Sequence, residues 1–109
     1  MRRLIIEMGM GVDLTGGDYT KAAQRAVRDC LGHSALPILH EVPGAVVRVT
    51  IGVQRPEAVD TAVFPAMFPV GEVEVAVRHG GMDVGAGGHV VASAAVEVFL
   101  PAQDGWRIR

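Results

Sequence analysis

The stretch from residue 3 to residue 21 confines this chain most, because a hydrophobic run, a glycine-rich connection and an amphipathic helix follow one another there without a break. Arg3 to Met8 alternates as a strand, with Leu4, Ile6 and Met8 on one face and Arg3, Ile5 and Glu7 on the other. The helix is expected over 19–33, with apolar residues at 22, 23, 26, 27, 30 and 31 at amphipathic spacing. Asp18 suits its N-cap and Gly32 its end. Between them lie Gly9, Gly11, Gly16 and Gly17 together with Asp13 and Asp18. A connection from 9 to 18 exceeds the usual two to six residues, and such connections tend to be functional or mobile.

The rest of the chain reads as strands and one more helix. Residues 34–44 hold two prolines and read as a connector. Residues 45–53 set Ala45, Val47, Val49, Ile51 and Val53 against Val46, Arg48, Thr50 and Gly52, a clean strand alternation. Pro56 opens a second helical stretch, 56–64, which Pro65 and Pro69 limit. A third strand carries Val73, Val75, Val77 and His79 on one face, and a fourth runs from His89 to Leu100. A second glycine-rich loop, 80–88, joins these two, and residues 101–109 read as a tail for which Trp106 is the expected docking residue. The order is β-α-β-α-β-β: an α+β two-layer sandwich with a four-stranded mixed sheet and two helices on one face, in a single domain of residues 1–109 with its core in 1–100. The other sheet face carries Arg3, Glu7, Arg48, Thr50, Glu74, Arg78, Ser93 and Glu97 with Ile5, Val46, Val91 and Phe99 among them. That mixture fits either a solvated face or a subunit interface, and the second reading predicts a homo-oligomer.

Composition removes several function classes. At 109 residues the chain buries about 65 % of its unfolded surface and needs no covalent staple. A net charge of −2 and 5 % aromatic residues argue against nucleic acid as a partner. No apolar run approaches a membrane span, so no membrane partner is expected. Cys30 is the one cysteine, which excludes an intrachain disulfide and fits a cytoplasmic location. His33, His40, His79 and His89 lack short ligand spacing, so neither a metal nor another cofactor is implied.

Chemistry is sought at the first glycine stretch. Gly9-x-Gly11 follows a strand and precedes a helix, but the third glycine of a dinucleotide loop is displaced and no Lys-Ser/Thr pair makes a P-loop. What remains is the capacity of glycine amides and a helix N-terminus to hold an anion. Asp13 is a turn former, a general base or a metal ligand, and Asp18 is foremost a cap. Lys21 stands in the first helical turn, where a cation opposes the helix dipole, so it is either a solvated lysine or a group that holds an anion, acts as base or forms an imine. The candidate catalytic residues are Asp13, Lys21 and Glu7. The candidate ligand-binding residues are Gly9, Gly11, Gly16, Gly17, Asp18, Arg78, Gly80 and Gly81, and the expected ligand is a small anionic or carbonyl-bearing metabolite.

The segment Gly9-Met10-Gly11-Val12-Asp13-Leu14-Thr15-Gly16, with Thr20-Lys21-Ala22-Ala23, Phe68-Pro69-Val70-Gly71, Gly80-Gly81-Met82 and Ala94-Ala95-Val96-Glu97-Val98, resembles a family of small conserved hypothetical proteins. That family is marked by an N-terminal GxGxDxHG motif, and the likeness covers residues 3 to 99. The resemblance implies that residues 80–82 belong with the first glycine stretch, and it implies no reaction. Thr15 stands where the family has histidine, so a chemistry resting on that histidine is not expected here.

Overall fold

The computed structural model describes residues 1–32, 43–68, 72–85 and 87–101. It is an α+β structure: a mixed sheet of five strands, with α1 (Tyr19–Gly32) packed on one face. The strands are β1 (Arg2–Asp13), β2 (Val46–Val53), β3 (Glu72–His79), β4 (Met82–Val84) and β5 (His89–Leu100). The path across the sheet is β1-β5-β2-β3, with β4 also paired to β5. β5 is antiparallel to β1, β2 and β4, whereas β2 and β3 run parallel. The parallel pair needs a crossover, which lies between Val53 and Glu72.

β5 is the central strand, and its buried alternation (Val90, Ala92, Ala94, Val96, Val98, Leu100) faces the helix. Val47, Val49, Ile51 and Val53 of β2 continue this layer, and Ala22, Ala23, Ala26, Val27 and Cys30 of α1 close it. Each fully buried valine or isoleucine contributes about 1.5–3 kcal/mol relative to exposure.

The glycine stretch is not the long connection its composition implies. β1 continues through Gly9 and Gly11 to Asp13, leaving only residues 14–18 before the helix. A register shift between Arg3 and Ile5 reverses the parity read from the sequence. Ile5, Glu7, Gly9, Gly11 and Asp13 therefore pair with Val98, Val96, Ala94, Ala92 and Val90 on the helix side. Ile6, Met8 and Met10 lie on the open face, and the two methionines are 68 % and 64 % exposed. The expectation that Ile6 and Met8 are buried while Glu7 faces the polar side is thus corrected.

The reason for the glycines is contact. A Cβ on Gly11 would lie 2.2 Å from the Ala22 carbonyl oxygen and the Ala26 amide nitrogen, and one on Gly9 would lie 2.8 Å from the Ala26 carbonyl oxygen. The backbone of α1 rests directly on the backbone of β1, with alanines supplying the smallest side chains on the helix side.

Two further expectations change. The helix expected over 56–64 is three single 3₁₀ turns, Pro56–Ala58, Thr61–Val63 and Pro65–Met67. One continuous helix would set Val59 and Phe64 about 140° apart; extended backbone at Val59 lets it, Phe64 and Phe68 all enter the core. The loop 80–88 contains β4, so among the described residues the sheet has five strands rather than four. Gly80 and Gly81 carry the chain past the end of β2, where Gln54 Nε2 donates to their carbonyl oxygens at 3.0 and 3.3 Å. Gly81 has φ +62°, and a Cβ there would lie 2.2 Å from the Val91 carbonyl oxygen. β4 then occupies the slot beside β5 that β2 has vacated. The expected features at His33, His40, 69–71 and Trp106 lie outside the described residues.

Gly11→Ala is expected to destabilise the protein by about 2 kcal/mol or more in urea unfolding, since helix backbone must move to admit the methyl group. Gly32→Ala, with nothing within 4 Å of the added Cβ, is expected to be neutral or stabilising by up to about 1 kcal/mol.

Candidate functional site

The start of α1 is assembled from three directions. Asp18 is the N-cap, its Oδ1 accepting from the Lys21 amide at 3.0 Å. Asp13, at the end of β1, is 2 % exposed, and its Oδ2 accepts from the Asp18 amide at 2.9 Å. The Asp13 carboxylate thereby closes the turn 14–18 and sets the angle at which the helix leaves it. Arg25, two helical turns on, places a guanidinium nitrogen 3.6 Å from Asp13 Oδ1 and donates to the Val12 carbonyl oxygen at 2.6 Å. The buried carboxylate is thus matched by a charge as well as a hydrogen bond, as its burial requires. One turn further along, Asp29 Oδ2 accepts from the Met10 amide at 3.1 Å. Arg25 and Asp29 in this way cover outward-facing backbone groups of β1, which is an edge strand.

The second glycine loop arrives from the other side. A Cβ on Gly17 would meet the Gly88 carbonyl oxygen at 3.6 Å, so the two turns touch through their backbones. Tyr19 OH donates to Asp83 Oδ2 at 2.5 Å, a short charge-assisted bond that ties the helix start to β4. The Asp83 hydrogen bond, followed by desolvation, raises the Tyr19 pKa above its ordinary 10.0. Thr20 fixes the third side: its Oγ1 accepts from the Asp60 amide at 2.9 Å and donates to the Ala58 carbonyl oxygen at 3.4 Å. Lys21 is exposed, and among the described residues it has no ion pair.

The candidate residues read from the sequence therefore separate. Asp13, Gly16, Gly17, Asp18 and Lys21 stand together at the helix start, joined by Gly88. Gly9 and Gly11 are covered by α1 and present no open face to a ligand. Gly80 and Gly81 lie at the end of β2 beside Gln54. Glu7 is six residues from Asp13 along β1, about 20 Å away. Arg78 is on β3, on the opposite sheet face from Glu7, so the pairing of those two on one polar face is corrected.

Cys30 is fully buried, its thiol pushed up to about 11 chiefly by desolvation, as befits a packing residue. Tyr19, Asp83 and Arg25 were not legible as partners of the first glycine stretch. Asp83 sits in a strand of three residues, too short for alternation to mark, and Tyr19 reads simply as the first residue of a helix. Among the described residues no helix is long and apolar enough to cross a membrane.

A family model described as "Conserved hypothetical protein (Lin0512_fam)" matches residues 3–98. The fold is similar to the crystal structure of an FtsZ-like protein of unknown function from Nostoc punctiforme, at 36 % sequence identity and a TM-score of 0.82. The likeness covers 93 % of this chain and 97 % of that one. No curated protein matches the chain.

Two outcomes test the site as an organised unit. Asp13→Ala is expected to cost about 1–3 kcal/mol in chemical unfolding, because the Asp18 amide and Arg25 lose their acceptor. The single tyrosine should ionise above pH 10.0 when followed by tyrosinate absorbance, and Asp83→Asn should bring it back toward that value. The raised folded-state value means that the Tyr19–Asp83 bond contributes fully below the unfolded tyrosine pKa and is lost as pH rises through the folded one.

Proposed function

The chain belongs to the conserved hypothetical protein family Lin0512_fam, and we propose that it is a homo-oligomeric protein that binds a small anionic or carbonyl-bearing metabolite where its two glycine turns meet. The observation that carries this reading is the meeting of Gly17 with Gly88 at the start of α1, beside the Tyr19–Asp83 hydrogen bond. Backbone amides at a helix start favour an anion. Lys21 supplies an exposed cation in the first turn, and the Tyr19 hydroxyl supplies a polar tip at the rim. Asp13 and Asp18 hold the turn in shape. An acid/base role for Asp13 requires its hydrogen bond from Asp18 to open, and binding alone requires no such step.

The Nostoc relative is described as FtsZ-like. A nucleotide is not part of this reading, because α1 covers the two glycines that would have to approach a phosphate.

The oligomeric part rests on the open face of the sheet, where Ile6, Met8, Met10, Met82 and Val84 are exposed. Apolar side chains exposed together on one sheet face mark association surfaces. A second reading, an assembly module without a ligand, is favoured by that same face.

A thermal-shift screen of small carboxylates and carbonyl compounds distinguishes the two. Binding is expected to raise the melting temperature, with Lys21→Ala weakening affinity about tenfold, or ~1.4 kcal/mol, while leaving the unliganded protein unchanged. No shift from any compound overturns the ligand reading and leaves the assembly module, and an equal shift in Lys21→Ala overturns this helix start as the binding site.

A further inference from the structure

The open face of the sheet is self-complementary about one axis. Its two inner columns are β5 on one side and β2 followed by β4 on the other. Their registered pairs include Phe99 with Val46, Glu97 with Arg48 and Val91 with Met82. Each is therefore matched in kind: aromatic with aliphatic, acid with base, apolar with apolar. The charges extend onto the outer strands, where Arg3 lies 3.2 Å from Glu97 and Arg48 lies 3.5 Å from Glu74. A row of alternating sign, Arg3, Glu97, Arg48, Glu74, thus crosses the sheet from β1 to β3.

Arg48 also lies over the Phe99 ring, 4.8 Å from its centroid, so its guanidinium is held flat against the face. The side chains of Arg48 and Glu74 nonetheless stay 50 % and 53 % exposed, with charge left to meet a partner.

We infer that this face binds a second copy of the chain across a two-fold axis that runs parallel to the strands, between β5 and β2. The inference rests on the homo-oligomer reading above and names its partner and geometry. Such an axis reverses the row, laying Glu97 over Arg48 of the second copy and Ile6, the residue registered with Glu97, over its Glu74, with the Arg3 guanidinium beside that contact. It also sets Phe99 over Val46 and Val91 over Met82 of the second copy. A two-fold axis along the row itself would stack Arg48 on Arg48 and Glu97 on Glu97, which like charges oppose. Two sheets packed with strands nearly aligned, about 10 Å apart, form a standard sandwich, and a two-fold dimer is the commonest closed assembly. Toward the outer strands Met10 meets Arg78 of the second copy. An open groove of about 430 Å³ beside Met10 is lined by Met8, Gly9, Met10, Ser93 and Ala94 together with Asp29 of α1.

The test separates contacts between chains from contacts within one. In Arg48→Glu the within-sheet neighbours at 48 and 97 are both acidic, and in Glu97→Arg both are basic. Across the axis, each variant alone opposes like charges, but a mixture of the two opposes unlike charges in both contacts. Native mass measurement on the full chain is expected to give a dimer for the unsubstituted protein, monomers for each variant, and a one-to-one dimer for the mixture. Met82→Asp, at an exposed position that leaves the fold intact by circular dichroism, is expected to weaken dimerisation about tenfold or more. If the charge variants fail to fold, Met82→Asp decides: unchanged dimerisation overturns the inference. A dimeric parent whose variants keep the dimer mass, a mixture that stays monomeric, or a parent that is a trimer overturns this face and axis while the homo-oligomer reading survives. A monomeric parent overturns both.

Discussion

The contact of α1 with β1 at Gly11 is the constraint on which the rest of the structure depends. A Cβ at that position would fall within 2.2 Å of helix backbone, so the helix can lie where it does only over glycine. With the helix that close, Arg25 and Asp29 reach the outward-facing carbonyl of Val12 and amide of Met10. The edge of β1 is covered by the same helix that covers its face. The turn 14–18 is correspondingly short, and Asp13 must close it from inside: its carboxylate binds the amide of the residue that caps the helix. One steric fact thereby determines the helix position, the treatment of an exposed edge and the burial of a charge.

The meeting of the two glycine turns follows from a different part of the topology. β3 runs parallel to β2 and ends beside Val53, so the chain must cross the end of β2 to continue. Gly80 and Gly81 make that crossing under the two carbonyl contacts from Gln54. β4 then takes up pairing with β5 beyond the end of β2, which directs Asp83 toward Tyr19 and Met82 with Val84 toward the open face. Three residues of strand therefore link the proposed ligand-binding turn to the proposed association surface. The Nostoc structure supports this fold over 93 % of the chain.

Much of this was legible from residue order alone. α1, β2, β3 and β5 follow from apolar periodicity, and the limits of β5 are those the alternation of 89–100 implies. Asp18 as N-cap is also a local matter, because a side chain three residues before the amide it binds needs no tertiary help. Two elements were not legible. Glycine-rich sequence between a strand and a helix has two readings, a flexible loop or a strand pressed against something, and its own side chains cannot separate them. The 3₁₀ turns over 56–67 depend on Val59, Phe64 and Phe68 competing for one core, which helix propensity does not register.

The sequence by itself determined the α+β class, strands β2, β3 and β5, the helix and its cap, since each rests on periodicity or on contacts within a few residues. Only the tertiary structure decided which way β1 faces. A register shift near Arg3 exchanges its two sides, turning Glu7 and the glycines toward the helix and Ile6, Met8 and Met10 outward. The physical reason is that side-chain parity in a strand is set by its pairing partner, and β5, the partner of β1, lies at the far end of the chain.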